Sequence, residues 1–224
     1  NKFWKNYDNK SNLLTELYNL SCKMTCCLFN IIKSKGLIIF YSSFVKMEGI
    51  EIFKLYLKYI GYTNYNDKKN KGIDFYRYIE YHGNIDTDQK LANKTIFNDN
   101  ENLYGKNVKI IIISPSVSVG ISFFNVRQIH ILEPYWHETR IKQIIGRGNR
   151  NCSHKLLPID ERNIDIFRYL CTYQNKDKLT TDEIIYNKST NKQYLIDSFL
   201  NILKEVSVDC NLFKEHNMYD KKYK

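Results

Sequence analysis

Four isoleucines in a row, Ile110-Ile111-Ile112-Ile113, follow Val108-Lys109 and run straight into Ser114-Pro115-Ser116-Val117-Ser118-Val119-Gly120-Ile121-Ser122. Successive side chains of a strand point to opposite faces. An uninterrupted apolar run must therefore be covered on both sides, as in a parallel sheet whose crossover helices lie on its two faces. Leu37-Ile38-Ile39-Phe40-Tyr41, between Ser34-Lys35-Gly36 and Ser42-Ser43-Phe44, has the same character. A β-branched segment over 128–132, closed by Glu133-Pro134, and a segment over 75–82 predict further strands; 163–170 is a last strand or a helix. Apolar residues at helical spacing predict helices over 48–61, 87–97 and 138–145, and upstream over 13–32, where Ser21 divides the stretch in two. Residues 62–71 and 98–105 read as polar loops. This alternation predicts an α/β fold, a parallel sheet with helices on both faces, over 34–170. A helical lead-in over 1–33 precedes it. A small Lys-rich helical extension over 171–224 follows, its amphipathic stretch at 194–206 packing on the α/β unit.

In such sheets the working loops lie at the carboxyl ends of strands, which selects residues 42–44, 114–122 and 133–136. The helix over 138–145 delivers Gln143-Ile144-Ile145-Gly146-Arg147-Gly148-Asn149-Arg150. Residues three or four apart share a helix face, so Gln143, Arg147 and Arg150 are expected to project together. A helical glycine costs about 1 kcal/mol relative to alanine. Close approach to another backbone or to a phosphate accounts for Gly146 and Gly148. Two planar, permanently charged guanidinium forks suit a polyphosphate; a solvated basic turn is the competing reading. Composition bears on the choice. The formal net charge is +10, which favours an anionic partner such as nucleic acid. The heavy use of Lys, Asn, Tyr and Ile points to an AT-rich genome, which discounts that charge. Only seven residues are arginine, however, and Arg140, Arg147 and Arg150 lie within eleven positions. Where arginine is scarce, clustering says more than net charge.

The chain lacks the usual nucleotide-handling parts. The phosphate loop GxxxxGK[ST] is missing: Gly105-Lys106 is followed by Asn107, and Asn100 stands where the first glycine belongs. No GxGxxG follows a strand, and Asp182-Glu183 opens a helix instead of ending a strand. Taken alone, the chain is expected to bind ATP poorly and hydrolyse little of it. Six cysteines (Cys22, Cys26, Cys27, Cys152, Cys171, Cys210) form no CxxC pair and match no zinc spacing, so no metal site is expected. Cys22 and Cys26, with Met24, Cys27, Leu28 and Phe29, read as the buried face of a helix. Free, mostly buried thiols imply a reducing compartment. None of the five histidines is spaced for a hydrolytic triad. There is no signal peptide, and no apolar run nears the roughly 20 residues of a membrane span, so a soluble intracellular protein is expected. The chain begins without Met, as if inside a larger protein. Tyr135 and Trp136 are either base-stacking groups or packing.

The loop 114–122, then Glu133-Pro134-Tyr135-Trp136, then Gln143-x-x-Gly146-Arg147-x-x-Arg150 resembles motifs V and VI of superfamily 2 helicases. Residues 35–41 with Ser42-Ser43-Phe44 are similar to motif IV. The chain most resembles helicase-like ATPases of nucleocytoplasmic large DNA viruses, a group that includes the poxvirus early transcription factor small subunit and the nucleoside triphosphate phosphohydrolase I type. That resemblance is carried by Gly120-Ile121-Ser122-Phe123-Phe124-Asn125-Val126, His130-Ile131-Leu132-Glu133-Pro134-Tyr135-Trp136-His137 and Cys152-Ser153-His154-Lys155, and covers about residues 22–210.

The resemblance implies the second RecA-like domain of a two-domain motor, with ATP in the cleft between the domains. The first domain, absent from this chain, would carry the phosphate loop and hold Mg2+. The second would supply arginine fingers: Arg150 on the γ-phosphate and Arg147 beside it as catalytic groups. Gln143, Gly146 and Gly120 would bind ATP. Ser42, Ser43, Phe44, Ser116 and Ser118 would bind nucleic acid, DNA ahead of RNA. Further implied partners are the N-terminal RecA-like domain of the same protein and RNA polymerase, with no membrane; the implied setting is host cytoplasm or virion. The implied function is an ATP-dependent helicase or translocase tied to transcription. Gly148 and Asn149, just before Arg150, depart from the pattern and shorten the helix, which bears on the aim of Arg150. The competing function is a non-enzymatic basic module that binds nucleic acid or a polymerase.

Overall fold

The computed structural model describes residues 10–46, 49–67, 74–115, 121–174, 178–208 and 212–213, with side chains from residue 15 onward. Two helices come first, α1 (Lys10–Leu20) and α2 (Cys22–Ile32), followed by strand β1 (Leu37–Tyr41) and helix α3 (Ile50–Tyr59). Then come β2 (Thr63–Asn64), β3 (Arg77–Tyr81), α4 (Thr87–Phe97), β4 (Ile110–Ile113), β5 (Val126–Ile131), α5 (Glu138–Gly148), β6 (Asp165–Arg168) and α6 (Thr181–Glu205). All six strands pair in parallel, in the order β2-β3-β4-β1-β5-β6. The expected RecA-like α/β architecture is therefore the one adopted, with β4 and β1 central and 163–170 resolved as a strand.

The two-sided apolar runs do what their composition requires. Ile38 and Phe40 of β1, with Ile110 and Ile112 of β4, face a core shared with Leu28 and Ile31 of α2 and Phe53 and Leu57 of α3. Leu37, Ile39 and Tyr41, with Ile111 and Ile113, face the opposite core, closed by Phe97 of α4 and by Ile141 and Ile144 of α5. Every residue of β1 and β4 is buried. The break at Ser21 is a cap: its hydroxyl accepts from Met24 N at 3.2 Å and starts α2.

Four expectations need correction. First, α2 is no lead-in. Its Met24, Cys27, Leu28 and Ile31 are core, so the boundary expected at residue 33 cuts through the packing. Second, the buried face of α2 is rotated from the expected one: Cys22, Cys26 and Phe29 are exposed, and Cys27 alone of the described cysteines is buried. Third, the loop expected over 62–71 holds a two-residue edge strand, β2, pairing with the start of β3. Fourth, α6 is one continuous 25-residue helix that docks only by its first half. Asp182 pairs with Lys23 and accepts from Cys171 N, and Tyr186 lies under Arg168. From Tyr194 onward its apolar residues, Leu195, Phe199, Leu200 and Leu203 among them, are exposed.

β5 carries a buried polar group at its centre. His130 places Nδ1 2.8 Å from the Tyr169 hydroxyl and Nε2 3.0 Å from Gln128 Oε1, and its ring stacks on Phe167. Burial drives its pKa from the usual 6.5 down to about 3, so the folded chain keeps the imidazole neutral. Below pH 6.5 the unfolded chain binds a proton that the folded chain refuses, so stability falls as pH falls through that window. Between pH 6.5 and 5 the loss is expected to be about 2 kcal/mol, from 1.4 kcal/mol per unit. Urea unfolding at the two pH values checks this. His130→Gln, which cannot titrate, is expected to flatten the difference.

Candidate nucleotide and nucleic-acid site

The carboxyl ends of β1, β4 and β5 come together where sequence spacing placed the working loops. A small cleft there, about 60 Å³, is lined by Tyr41, Ile113, Ser114, Arg140, Gln143 and Arg147. Helix α5 supplies the last three. It packs on the sheet through Ile141, Ile144 and Gly148, which turns Gln143 outward and leaves Arg147 half-buried. Arg147 Nη1 donates to Ile121 O at 3.2 Å, and Arg147 O accepts from Phe123 N at 2.8 Å. The arginine is thus tied at both ends to the chain that leaves the 114–122 loop. Arg140 lies over the Tyr135 ring at 4.5 Å, which holds the aromatic by cation–π attraction.

Arg150 is placed differently from the spacing argument. The helix ends at Gly148, and Asn149 breaks the helical dihedrals (φ −111°, ψ 86°). Arg150 therefore lies outside the helix and does not share a face with Gln143 and Arg147. Its Nε instead donates back to Gly146 O at 2.9 Å, and its backbone N–H donates to Ser153 Oγ at 3.2 Å. The side chain is exposed. Ser116, Ser118 and Gly120 lie outside the described residues.

The two glycines have separate explanations. A Cβ on Gly148 would stand 2.9 Å from Ile39 Cδ1 and 3.3 Å from Val126 Cβ, so this glycine lets the helix end approach the sheet. A Cβ on Gly146 would meet nothing within 4 Å. Gly148→Val is expected to cost about 1–3 kcal/mol by overpacking. Gly146→Ala is expected to gain about 0.5–1 kcal/mol, because a helical glycine is entropically costly. Denaturant midpoints of the two variants check the contrast.

The loop after β1 is built around a carboxylate, Glu133, that lies just past the end of β5. Ser42 Oγ donates to Glu133 Oε1 at 2.9 Å, Ser43 N donates to Glu133 Oε2 at 2.8 Å, and Phe44 N donates to Ser42 Oγ at 3.1 Å. Ser42 is wholly buried, so its hydroxyl shapes the loop and does not face solvent, contrary to the contact expected of it. Ser43 is half-buried, and Phe44, 54% exposed, is the group the loop presents. Burial raises the Glu133 pKa, against hydrogen bonds from Ser43 and Ser42 that lower it. No periodic signal marks Glu133 as the partner of Ser42; the only hint was its place at the end of a strand. Trp136, also exposed, has Lys188 at 5.8 Å over its ring.

The arrangement fits part of a polyphosphate site. It offers an amide and a guanidinium beside a strand-end loop, with a second guanidinium on a non-helical arm nearby. Among the described residues, no group of three or more His, Cys, Asp or Glu side chains could hold a metal ion. No described helix is long and apolar enough to cross a membrane.

Residues 21–152 match the family described as the helicase conserved C-terminal domain. A protein of Acanthamoeba polyphaga mimivirus, provisionally named an ATP-dependent RNA helicase, is 43% identical over 99% of this chain and 27% of its own length. Nucleoside triphosphatase I of Melanoplus sanguinipes entomopoxvirus is 31% identical over 92% of this chain and 30% of its own. Among solved structures, the C-terminal part of the Fun30 ATPase domain superposes with a TM-score of 0.49 at 16% identity, covering 82% of this chain and 54% of that one. That likeness is too remote to bear on the site. The chain spans about a third of the length of the curated relatives it matches, from 27% to 35%.

Proposed function

Because this chain belongs to the helicase conserved C-terminal domain family, we propose that it is the C-terminal motor domain of an ATP-dependent nucleic-acid helicase or translocase. The observation that carries the reading is the cleft in which Gln143 and Arg147 of α5 meet Ser114 at the carboxyl end of β4. In this reading ATP lies between this domain and an N-terminal RecA-like domain, which contributes the phosphate loop and Mg2+. Gln143, Gly146 and Gly120 line the nucleotide from this side. Arg147, braced on Ile121, meets the phosphates, and Arg150 swings from its exposed position onto the γ-phosphate. Bound with its metal, the nucleotide supplies the scissile phosphoanhydride; this chain's part is to place positive charge where negative charge develops.

Phe44 and Ser43, on the loop held by Glu133, contact nucleic acid together with Ser116 and Ser118. The expected preference for DNA has no counterpart in the mimivirus relative, whose name refers to RNA; nucleic acid as a class is the reading here. The relatives are viral, which supports a role in a virus-encoded machine. Work beside an RNA polymerase in transcription, in host cytoplasm or virion, is the further part of the proposal and rests on the resemblance alone.

A second reading, a non-enzymatic basic module, is favoured by the +10 charge. ATP turnover by the full-length protein, with and without DNA or RNA, separates the two. Stimulated turnover supports the motor. Salt-sensitive nucleic-acid binding with no turnover in any condition supports the module and ends the first reading.

A further inference from the structure

Two of the thiols that the fold leaves outside its core meet at the foot of α6. The chain leaving β6, residues 169–171, runs beside α2. Near the end of that helix, Asn30 Nδ2 donates to the Tyr169 hydroxyl at 3.0 Å. At its start, Lys23 pairs with Asp182, and the same Asp182 Oδ2 accepts from Cys171 N at 2.9 Å. Cys22, the neighbour of Lys23, is thereby brought to Cys171, and the Cys171 thiol is hydrogen-bonded to that of Cys22. Both cysteines are free; Cys22 is exposed and Cys171 half-buried.

A thiol that only packs looks different. Cys27 is wholly buried, with its sulfur 3.6 Å from His130 Nδ1, and burial pushes its pKa far up. Cys22 and Cys171 are within reach of dissolved reagents. Their place matters because α6 is thinly attached. Ser189 is the one buried residue of that helix. Its foot is held by polar contacts: the Lys23–Asp182 pair, Cys171 N on Asp182, and Thr180 Oγ1 donating to Cys171 O at 2.6 Å. Such contacts are individually modest, and an element held by few of them opens locally at low cost. A covalent bond from Cys171 to α2 would act at the point on which these contacts converge.

We propose that Cys22 and Cys171 are a reversible disulfide site that staples the foot of α6 to α2, with a low-molecular-weight disulfide of the glutathione type as oxidant. The inference stands apart from the function proposed above. Cys22, the more exposed, is the entry thiol. Its thiolate attacks one sulfur of the oxidant, whose S–S bond breaks; one small thiolate leaves and takes up a proton, and a mixed disulfide remains on Cys22. The Cys171 thiolate then attacks the Cys22 sulfur and expels the second small thiolate, which is protonated in turn. Two protein thiols have lost two electrons and two protons, and the oxidant has gained both as two small thiols. Burial raises the Cys171 pKa, against Lys23, which lowers it. A raised pKa suits Cys171 to the second, intramolecular step, where contact replaces thiolate abundance.

The test treats the full-length protein with oxidised glutathione and maps the linked peptides by mass spectrometry, before and after a dithiol reductant. A Cys22–Cys171 peptide is expected, lost on reduction and kept in Cys26→Ser and Cys152→Ser. Cys171→Ser is expected to stop at the glutathione adduct on Cys22. In Cys22→Ser, the half-buried Cys171 is expected to be modified about tenfold more slowly than Cys22 is in Cys171→Ser. Oxidation is expected to slow amide hydrogen exchange over residues 181–189 by about tenfold or more, to leave α3 unchanged, and to have no such effect in Cys171→Ser. A lasting adduct on Cys22 without the crosslink, a Cys22–Cys26 link in its place, or a crosslink that leaves exchange over 181–189 unchanged overturns the inference.

Discussion

In the full-length protein, Arg150→Ala is expected to lower nucleic-acid-stimulated ATP turnover by about 10³-fold or more, the usual worth of a guanidinium at a transferring phosphoryl group, while ATP binding is largely kept. The geometry explains the division. Arg150 is exposed, and the hydrogen bond that parks it, from Nε to Gly146 O, is local and exchangeable for water. Removing the side chain is therefore expected to leave the fold intact and to take away only the contact with the phosphate proposed for it. Arg150→Lys is expected to recover little, because a compact ammonium lacks the planar two-pronged fork. Arg147→Ala is expected to behave otherwise. Its guanidinium also braces Ile121 O, so about 1 kcal/mol of stability goes with the activity. Single-turnover hydrolysis beside equilibrium nucleotide binding measures both. Undiminished turnover in Arg150→Ala would remove the finger assignment.

Among the described glycines, Gly49→Ala is expected to be the most damaging substitution, destabilising the chain by about 3 kcal/mol. A Cβ at this position would stand 1.8 Å from Phe44 O and 2.5 Å from Phe44 C. These are backbone atoms, and they are held: Phe44 O accepts from Ile50 N at 2.9 Å, and Val45 O from Glu51 N at 3.1 Å. The clash can be relieved only by moving the 42–45 loop off the start of α3, which displaces Phe44 from the surface it occupies. Nucleic-acid affinity is therefore expected to fall together with stability. Urea unfolding gives the first and salt-titrated binding the second. A variant as stable as wild type would show that the loop gives way without cost.

Much of the fold was legible. Ile110–Ile113 and Leu37–Tyr41 read as two-sided strands because continuous apolar runs have only one comfortable place, between two layers of helix. The division at Ser21 was legible because capping is a local hydrogen bond. The short edge strand Thr63–Asn64 was not, since two half-buried polar residues leave no periodic trace. The face of α2 is not legible in the sequence, because cysteines on both sides of the helix count alike as apolar, and only docking decides that Cys27 goes in and Cys26 stays out. In the candidate site, the cluster of glutamine, arginines and glycines was visible as spacing. That Arg150 leaves the helix depended on how α5 ends against the sheet.

The sequence by itself determined the layers, the parallel order of strand and helix, and the family to which the motif order belongs. Each of these is written in run lengths, periods or fixed spacings along the chain. Only the tertiary structure decided which groups face one another. Ser42 and Glu133 are 91 residues apart and meet because β1 and β5 pair. Arg147 is braced by Ile121, 26 residues before it, because α5 returns along the sheet. Contacts between segments so distant have no period to read; they arise when burial of the two apolar cores brings the loops to one place.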